Sequence, residues 1–282
     1  MPSIEDSIAN VFGKTIWTRF NRSVRDYELI LPGDSIAVCI SGGKDSMLLA
    51  LCMKRLARFS RTPFTVRYLA MDPGYTPETR QRIEGNLRLL GIEADILRTN
   101  IFSSAEKTGD NPCFLCSRLR RGWLYKTAMD MGCNKIALGH HFDDVIETIL
   151  MGMLYGSQMQ TMLPKLHSEN YKGMELIRPL YLVRENDIIG WADYNGLEFI
   201  QCACNLSSGG EGSSKRREIK ELLVQLRRTN PAVDMNIFRS AENVNLRKLM
   251  SYHSGSERHH FLDDYAEGHT VRGNINKGAV NK

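Results

Sequence analysis

An unbroken apolar run, Ile36-Ala37-Val38-Cys39-Ile40, ends in the hexapeptide Ser41-Gly42-Gly43-Lys44-Asp45-Ser46, and an apolar stretch with helical spacing follows at once. Few architectures accept such a chain. A strand apolar at every position must be covered on both faces, which implies a parallel sheet inside an α/β protein. Gly42 and Gly43 let the backbone turn tightly and bring bare amides close to an anion. A helix starting at the loop directs its unpaired N–H groups and positive dipole end to the same point. Lys44 adds a point charge. The layout predicts a phosphate site. It is not a P-loop, which needs four residues between its glycines. A glycine turn after an ordinary strand is the plainer alternative; the agreement of strand, hexapeptide and helix argues against it.

The alternation continues downstream. Strands are expected over 64–71, 92–97 and 134–139, and helices over 45–59, 77–90, 116–131 and 143–155. This order predicts an α/β fold with a doubly wound parallel sheet. Residues 1–28 read as an N-terminal amphipathic helix, with Ile4, Ile8, Val11, Phe12 and Ile16 on one face. Residues 29–205 form the α/β domain, with 100–112 a loop. Its looser second half has strands within 171–182 and 197–202 and a helix over 184–195. Residues 206–250 read as a helical C-terminal segment, with a flexible loop at 207–214 and helices over 215–228 and 233–250. Residues 251–282 are polar and aperiodic and read as a disordered tail.

The 282 residues are 42% hydrophobic and 24% charged, which is ordinary for a soluble globular protein. No apolar run approaches the roughly 18 residues that span a membrane. The polar N-terminus has no signal-peptide pattern, so a cytoplasmic protein without a membrane partner is expected. The net charge of +5 permits a polyanion. Basic residues cluster at Arg118, Arg120 and Arg121, at Lys215, Arg216 and Arg217, and at Arg227 and Arg228. A solvated helix face explains each cluster singly; three together favour nucleic acid.

Seven cysteines, an odd number, argue against a disulfide framework. Cys39, Cys52 and Cys133 fall in apolar segments and read as core. Cys113 and Cys116, spaced CxxC, suit a metal or iron–sulfur cluster, a redox dithiol, or plain packing. With Cys202 and Cys204 downstream, a cluster held by three cysteines with one open iron fits the count.

Several runs then occur in one order. Ser41-Gly-Gly-Lys-Asp-Ser46 is followed by Cys113-x-x-Cys116-Ser-Arg-Leu-Arg-Arg-Gly122 and Lys135-Ile-Ala-Leu-Gly-His-His-x-Asp-Asp144. Tyr155-Gly156, Met162-x-Pro164-Lys165-Leu166, Ile177-Arg178-Pro179-Leu180 and Arg184-Glu185-x-Asp187-Ile188 complete the set. The chain thereby resembles the tRNA 2-thiocytidine synthetases from about residue 20 to about residue 230. The loop alone indicates only the wider PP-loop ATP-pyrophosphatases, which split ATP between its α and β phosphates. The run after the CxxC is the specific part.

The resemblance implies ATP at the carboxyl ends of the strands and chemistry at C2 of cytidine 32 in tRNA. The C2 oxygen attacks the α-phosphate of Mg-ATP, pyrophosphate leaves, sulfide attacks C2, and AMP departs. Carried onto this chain, Ser41, Gly42, Gly43, Lys44, Asp45 and Ser46 bind ATP, and Asp45 holds Mg²⁺ or acts as base. Asp72, His140, Asp143 and Asp144 lie near the nucleotide; His141 either joins them or is structural. Cys113, Cys116 and Cys204 hold a 4Fe-4S cluster, with Cys202 in reserve. Family members often carry a second CxxC-like run here, and this chain has Ser207 at its last position. Arg118, Arg120 and Arg121 meet phosphates of the anticodon arm. A cysteine desulfurase as sulfur donor and a homodimer are also implied. The alternative target of the same chemistry is a tRNA uridine or a small molecule.

Overall fold

The computed structural model describes residues 2–106, 112–200, 211–263 and 265. The chain divides into two units, Met1–Phe238 and Arg239–Lys282.

The first unit is built on a six-stranded sheet. Its strands are β1 (Ser35–Ile40), β2 (Thr65–Asp72), β3 (Asp95–Arg98), β4 (Lys135–Ala137), β5 (Lys165–His167) and β6 (Glu175–Ile177), arranged β3-β2-β1-β4-β6-β5. All neighbours are parallel except the β5–β6 pair at the edge. β1 is central and buried on both sides, as its composition requires. Ile36, Val38 and Ile40 enter one core with Phe20, Leu48, Leu51 and Trp191. Ala37 and Cys39 enter the other with Tyr125, Ala128 and Ile136. The period of two in a strand produces this division.

Helices cover both faces: α1 (Ile4–Asn10), α2 (Thr18–Asp26), α3 (Lys44–Phe59), α4 (Pro77–Leu89), α5 (Ile101–Glu106), α6 (Pro112–Asp130), α7 (Phe142–Gly156), α8 (Glu185–Tyr194), α9 (Glu211–Thr229) and α10 (Val233–Ser240). The single N-terminal helix expected over 1–28 is broken. A π-helical segment, Gly13–Trp17, separates α1 from α2, and the Phe12 amide reaches the Ser7 carbonyl five residues back. Ile8, Ile16 and Phe20 are nonetheless all fully buried.

β1 lies between β2 and β4, each reached in the opposite lateral direction. The crevice at the carboxyl ends of β1 and β4 is therefore the switch point where ligands bind in such sheets. At the amino ends, buried Lys135 ties β4 to its surroundings. Its Nζ lies 2.9 Å from Asp34 and 2.8 Å from Glu175, and it donates to the Leu29 carbonyl at 3.0 Å.

Several elements differ from expectation. Residues 101–106 of the expected loop form α5, and α6 starts at Pro112, ahead of both paired cysteines. Proline suits the first turn of a helix because its missing N–H would be unpaired there. β5 escapes a sequence reading because three residues carry no period. α9 begins at Glu211, inside the expected flexible loop, and α10 stops at Ser240 rather than 250. The second unit contains a 3₁₀ turn, Leu246–Lys248, and a hairpin of β7 (Ser251–Ser254) and β8 (Glu257–His260). The tail expected to be disordered is thus ordered at its start. Gly255 at φ 63° makes the turn, and Tyr252 stacks on His259 at 4.7 Å.

Candidate active site

The hexapeptide forms the turn between β1 and α3. Gly42 sits at φ 89°, a region that L side chains rarely adopt. A Cβ there would lie 2.7 Å from Ile83 and 2.8 Å from Ile200. Gly43 caps α3 and supplies no side-chain hydrogen bond to the first-turn amides. Those donors are what a bound phosphate would satisfy. The loop is braced from within: Ser46 Oγ accepts from the Ser41 amide at 3.1 Å and donates to the Gly43 carbonyl at 2.9 Å. Tyr75 donates to the Ser41 carbonyl at 3.3 Å. Gly139, at the end of β4, lets a second loop approach closely; a Cβ there would meet the Asp45 carbonyl carbon and Ser46 nitrogen at 3.0 Å.

Two cavities flank this loop. The larger, about 680 Å³, is lined by Ser41, Gly43, Lys44 and Asp45, with Ile189, Leu197, Phe199 and Ile200 among its apolar walls. The smaller, about 340 Å³, is lined by Ser41, Asp45 and Ser46, by His140 and Asp144, and by Ser117, Arg120, Arg121 and Leu124 of α6. Ser41, Asp45 and Arg120 border both cavities.

A charge network runs through the site. Lys44 Nζ lies 3.0 Å from Glu185 Oε1, and Lys220 Nζ lies 3.0 Å from Glu185 Oε2. Burial would raise the Glu185 carboxyl, but Lys44 and Lys220 outweigh it and bring it down to about 2. Burial likewise opposes the charge on Lys44, and Asp45 and Glu185 reverse the effect, raising it. Glu147, nearly inaccessible, faces Arg216 at 3.2 Å and Lys220 at 3.6 Å; burial prevails there and raises its carboxyl. Asp45 Oδ1 is buried without a hydrogen-bond partner, although Lys44 Nζ stands 3.2 Å from it. An orphaned carboxylate oxygen beside phosphate donors is chemically suited to a divalent cation.

The structure brings Ser41, Gly43, Lys44, Asp45, Ser46, His140 and Asp144 to the cavities, and it separates two residues expected near the nucleotide. Asp72 is spent on its own turn: Oδ1 accepts from the Gly74 and Tyr75 amides at 3.0 and 2.7 Å, and Oδ2 from Arg80 at 2.6 Å. Burial opposes this ionised state, and those donors overcome it, lowering the carboxyl. Asp143 turns toward Arg227 at 2.9 Å and Arg184 at 3.4 Å, and it accepts from the Glu185 amide at 2.8 Å. Both Asp72 and Asp143 support the site rather than face it. His141 caps α7: its Nδ1 accepts from the Asp144 amide at 3.4 Å, while Nε2 stands 3.9 Å from Asp45 Oδ1. Glu185, Lys220, Arg216 and Arg178 were missed as site residues. Glu185 and Arg178 fall in runs that carry the resemblance, where nothing local marks a role, and Lys220 carries no signal beyond helical charge.

Cys113 and Cys116 lie one turn apart on α6, and residues at that spacing share a helix face. Cys116 is buried beside Met71 and Ile101. Cys202 and Cys204 lie outside the described residues. Cys39 lines the smaller cavity, and burial pushes its thiol up to about 12, away from the thiolate. Arg118 is exposed, whereas Arg120 is half-buried between the cavities.

A glycine loop at the switch point, a bare helix N-terminus and a charged pocket define the PP-loop class of ATP-using proteins. Residues 14–223 match the PP-loop domain family. A tRNA-cytidine(32) 2-sulfurtransferase of Geobacter sulfurreducens is 35% identical over 246 residues, 86% of this chain and 95% of that one. One from Ralstonia pickettii is 37% identical over 235 residues, 80% of this chain and 72% of that one. The chain belongs to the tRNA-cytidine(32) 2-sulfurtransferase family. Among solved structures, the U34-tRNA thiolase NcsA from Methanococcus maripaludis, with its 4Fe-4S cluster, shares the fold. It superposes with a TM-score of 0.64 at 21% identity, covering 80% of this chain and 77% of that one. Among the described residues, no helix is long and apolar enough to cross a membrane.

Proposed function

We propose that this chain is an ATP-dependent tRNA thiolase that replaces the C2 oxygen of cytidine 32 by sulfur. The observation that carries the reading is the pair of cavities meeting at Ser41, Asp45 and Arg120. A nucleotide in the larger cavity and a base in the smaller would have their reacting atoms at one wall. The apolar lining of the larger cavity suits an adenine ring, and the loop amides and Lys44 suit the phosphates.

Holding the two substrates at one wall removes most of the entropic barrier to their reaction. The cytidine O2 forms its bond to the α-phosphorus, and the bond to pyrophosphate breaks. The loop amides, Lys44 and Arg120 face the charge that builds on the phosphates. Asp45, through its orphaned Oδ1, would hold Mg²⁺ there. Sulfide then adds at C2 and AMP leaves, carrying the original oxygen. Cys113, Cys116 and Cys204 would hold a 4Fe-4S cluster, which would supply the sulfur.

Arg118 and Arg121, exposed on α6, are suited to phosphates of the anticodon arm, which would position the loop without reading it. A loop base can be splayed into a pocket at low cost. A cysteine desulfurase as donor and a homodimer belong to the same proposal and rest on family resemblance. Nucleosides of tRNA from cells with and without the gene, measured by mass spectrometry, test the function. Loss of 2-thiocytidine alone is expected. Unchanged 2-thiocytidine with loss of a thiouridine would move the target base, and no change would refute tRNA as substrate.

A further inference from the structure

The smaller cavity has a polar edge with a fixed hydrogen-bonding sense. Arg178 Nε donates to His140 Nδ1 at 3.3 Å. A guanidinium has donors only, so the ring nitrogen it meets must carry a lone pair. The imidazole is then neutral, with its one proton on the other nitrogen, Nε2. Burial favours the same state and, against the Asp144 charge, holds His140 down to about 4. Arg178 is itself anchored: it is buried, and its Nη1 donates to the Leu163 carbonyl. The histidine therefore cannot exchange its donor for an acceptor without losing this partner. Among the described residues, no acceptor meets Nε2–H.

His140 lines the smaller cavity together with Asp144. Asp144 Oδ2 accepts from the His141 amide at 3.1 Å, and Oδ1 faces the Arg216 guanidinium at 3.9 Å, beyond hydrogen-bond distance. The cavity thus offers a locked donor beside a carboxylate acceptor. We propose that this pair selects the target base, with His140 Nε2–H donating to N3 of cytosine and Asp144 accepting from its 4-amino group, and with Arg178 as the positioning residue. The inference rests on the thiolation reading above and adds to it the basis of base choice.

Cytosine presents an acceptor at N3 and a donor at N4; uracil presents a donor at N3 and an acceptor at O4. A uracil in the same seat would set N3–H against Nε2–H and O4 against the carboxylate. Buried polar groups left unpaired are costly. A site built to bond one partner can reject a near-isostere by roughly 10⁴-fold for this reason.

The test uses cluster-loaded full-length enzyme and anticodon stem-loops with cytidine, uridine or 3-deazacytidine at position 32. The wild type is expected to favour cytidine over both others by roughly 100-fold or more in kcat/KM. His140→Phe removes the donor and should bring 3-deazacytidine within roughly tenfold of cytidine, while uridine stays disfavoured by its O4 against Asp144. His140→Gln can turn either end of its amide inward and should narrow the preference for cytidine over uridine to the part that Asp144 sets. Competition binding of the same stem-loops gives the ratios for any variant that turns over none. A His140→Phe protein that keeps the wild-type ratios overturns the proposal, as does a wild type that accepts uridine as readily as cytidine. A wild type inactive on all three stem-loops defeats the thiolation reading beneath it.

Discussion

Replacing Gly42 by alanine tests whether the loop geometry is what makes the phosphate site. Two costs can be worked from the structure. The φ of 89° belongs to the left-handed side of the map, where an L residue loses about 1–2 kcal/mol. The new methyl would stand 2.7 Å from Ile83 Cγ1 and 2.8 Å from Ile200 Cδ1, and overpacking of this kind costs about 1–3 kcal/mol. A loop held in place therefore loses about 2–5 kcal/mol, or roughly 4–20 °C in Tm at about 2–4 °C per kcal/mol for a unit of this size. A loop that moves away instead spares stability but misplaces the amides, and ATP affinity should fall at least about tenfold, the equivalent of one lost charge-assisted hydrogen bond. Calorimetry and ATP titration read both quantities. Gly42→Ala combined with Ile83→Ala should recover part of the stability loss expected from adding the single effects, because the nearest clash is removed while the φ strain remains. A Gly42→Ala protein with unchanged Tm and unchanged ATP affinity would refute the reasoning.

Other outcomes are expected from the same structure. Asp143→Ala removes one of the two carboxylates that Arg184 and Arg227 share, leaving Asp234, and should cost about 1–3 kcal/mol in denaturant unfolding, with ATP still bound by the folded fraction. Glu185, held down to about 2, contributes stability that is present above its unfolded value near 4.5 and lost as pH falls toward 2. Glu185→Gln should therefore flatten the fall in Tm between those pH values, and an equally steep fall in the variant would contradict that role. Cys113→Ala should abolish the visible absorption of the reconstituted cluster and thiolation together while ATP binding persists; retained thiolation would sink the cluster mechanism.

Much of the site was readable because its signals are local. The apolar run, the paired glycines and the following helix are contiguous, and each bears on the same few residues. The cysteine pair was readable for the same reason, and its i, i+3 spacing acquired meaning once α6 proved to start at Pro112. The N-terminal segment misled because an apolar face passes unbroken through a π-helical segment that composition does not reveal. The hairpin at 251–260 lacked a strand pattern because its side chains are largely polar on both faces.

Sequence alone determined a glycine turn between a buried strand and a helix, with the amides a phosphate would need, since backbone sterics and helix ends act over a few residues. Tertiary structure decided which charged groups share the pocket. Asp143 and Asp144 are neighbours in sequence, yet a helix turns about 100° per residue, so one faces Arg227 and the other the cavity. Lys44 and Glu185 lie 141 residues apart and meet at 3.0 Å because the strand order places their loops at one switch point. Electrostatic partners depend on distance in space, and only the folded sheet fixes that distance.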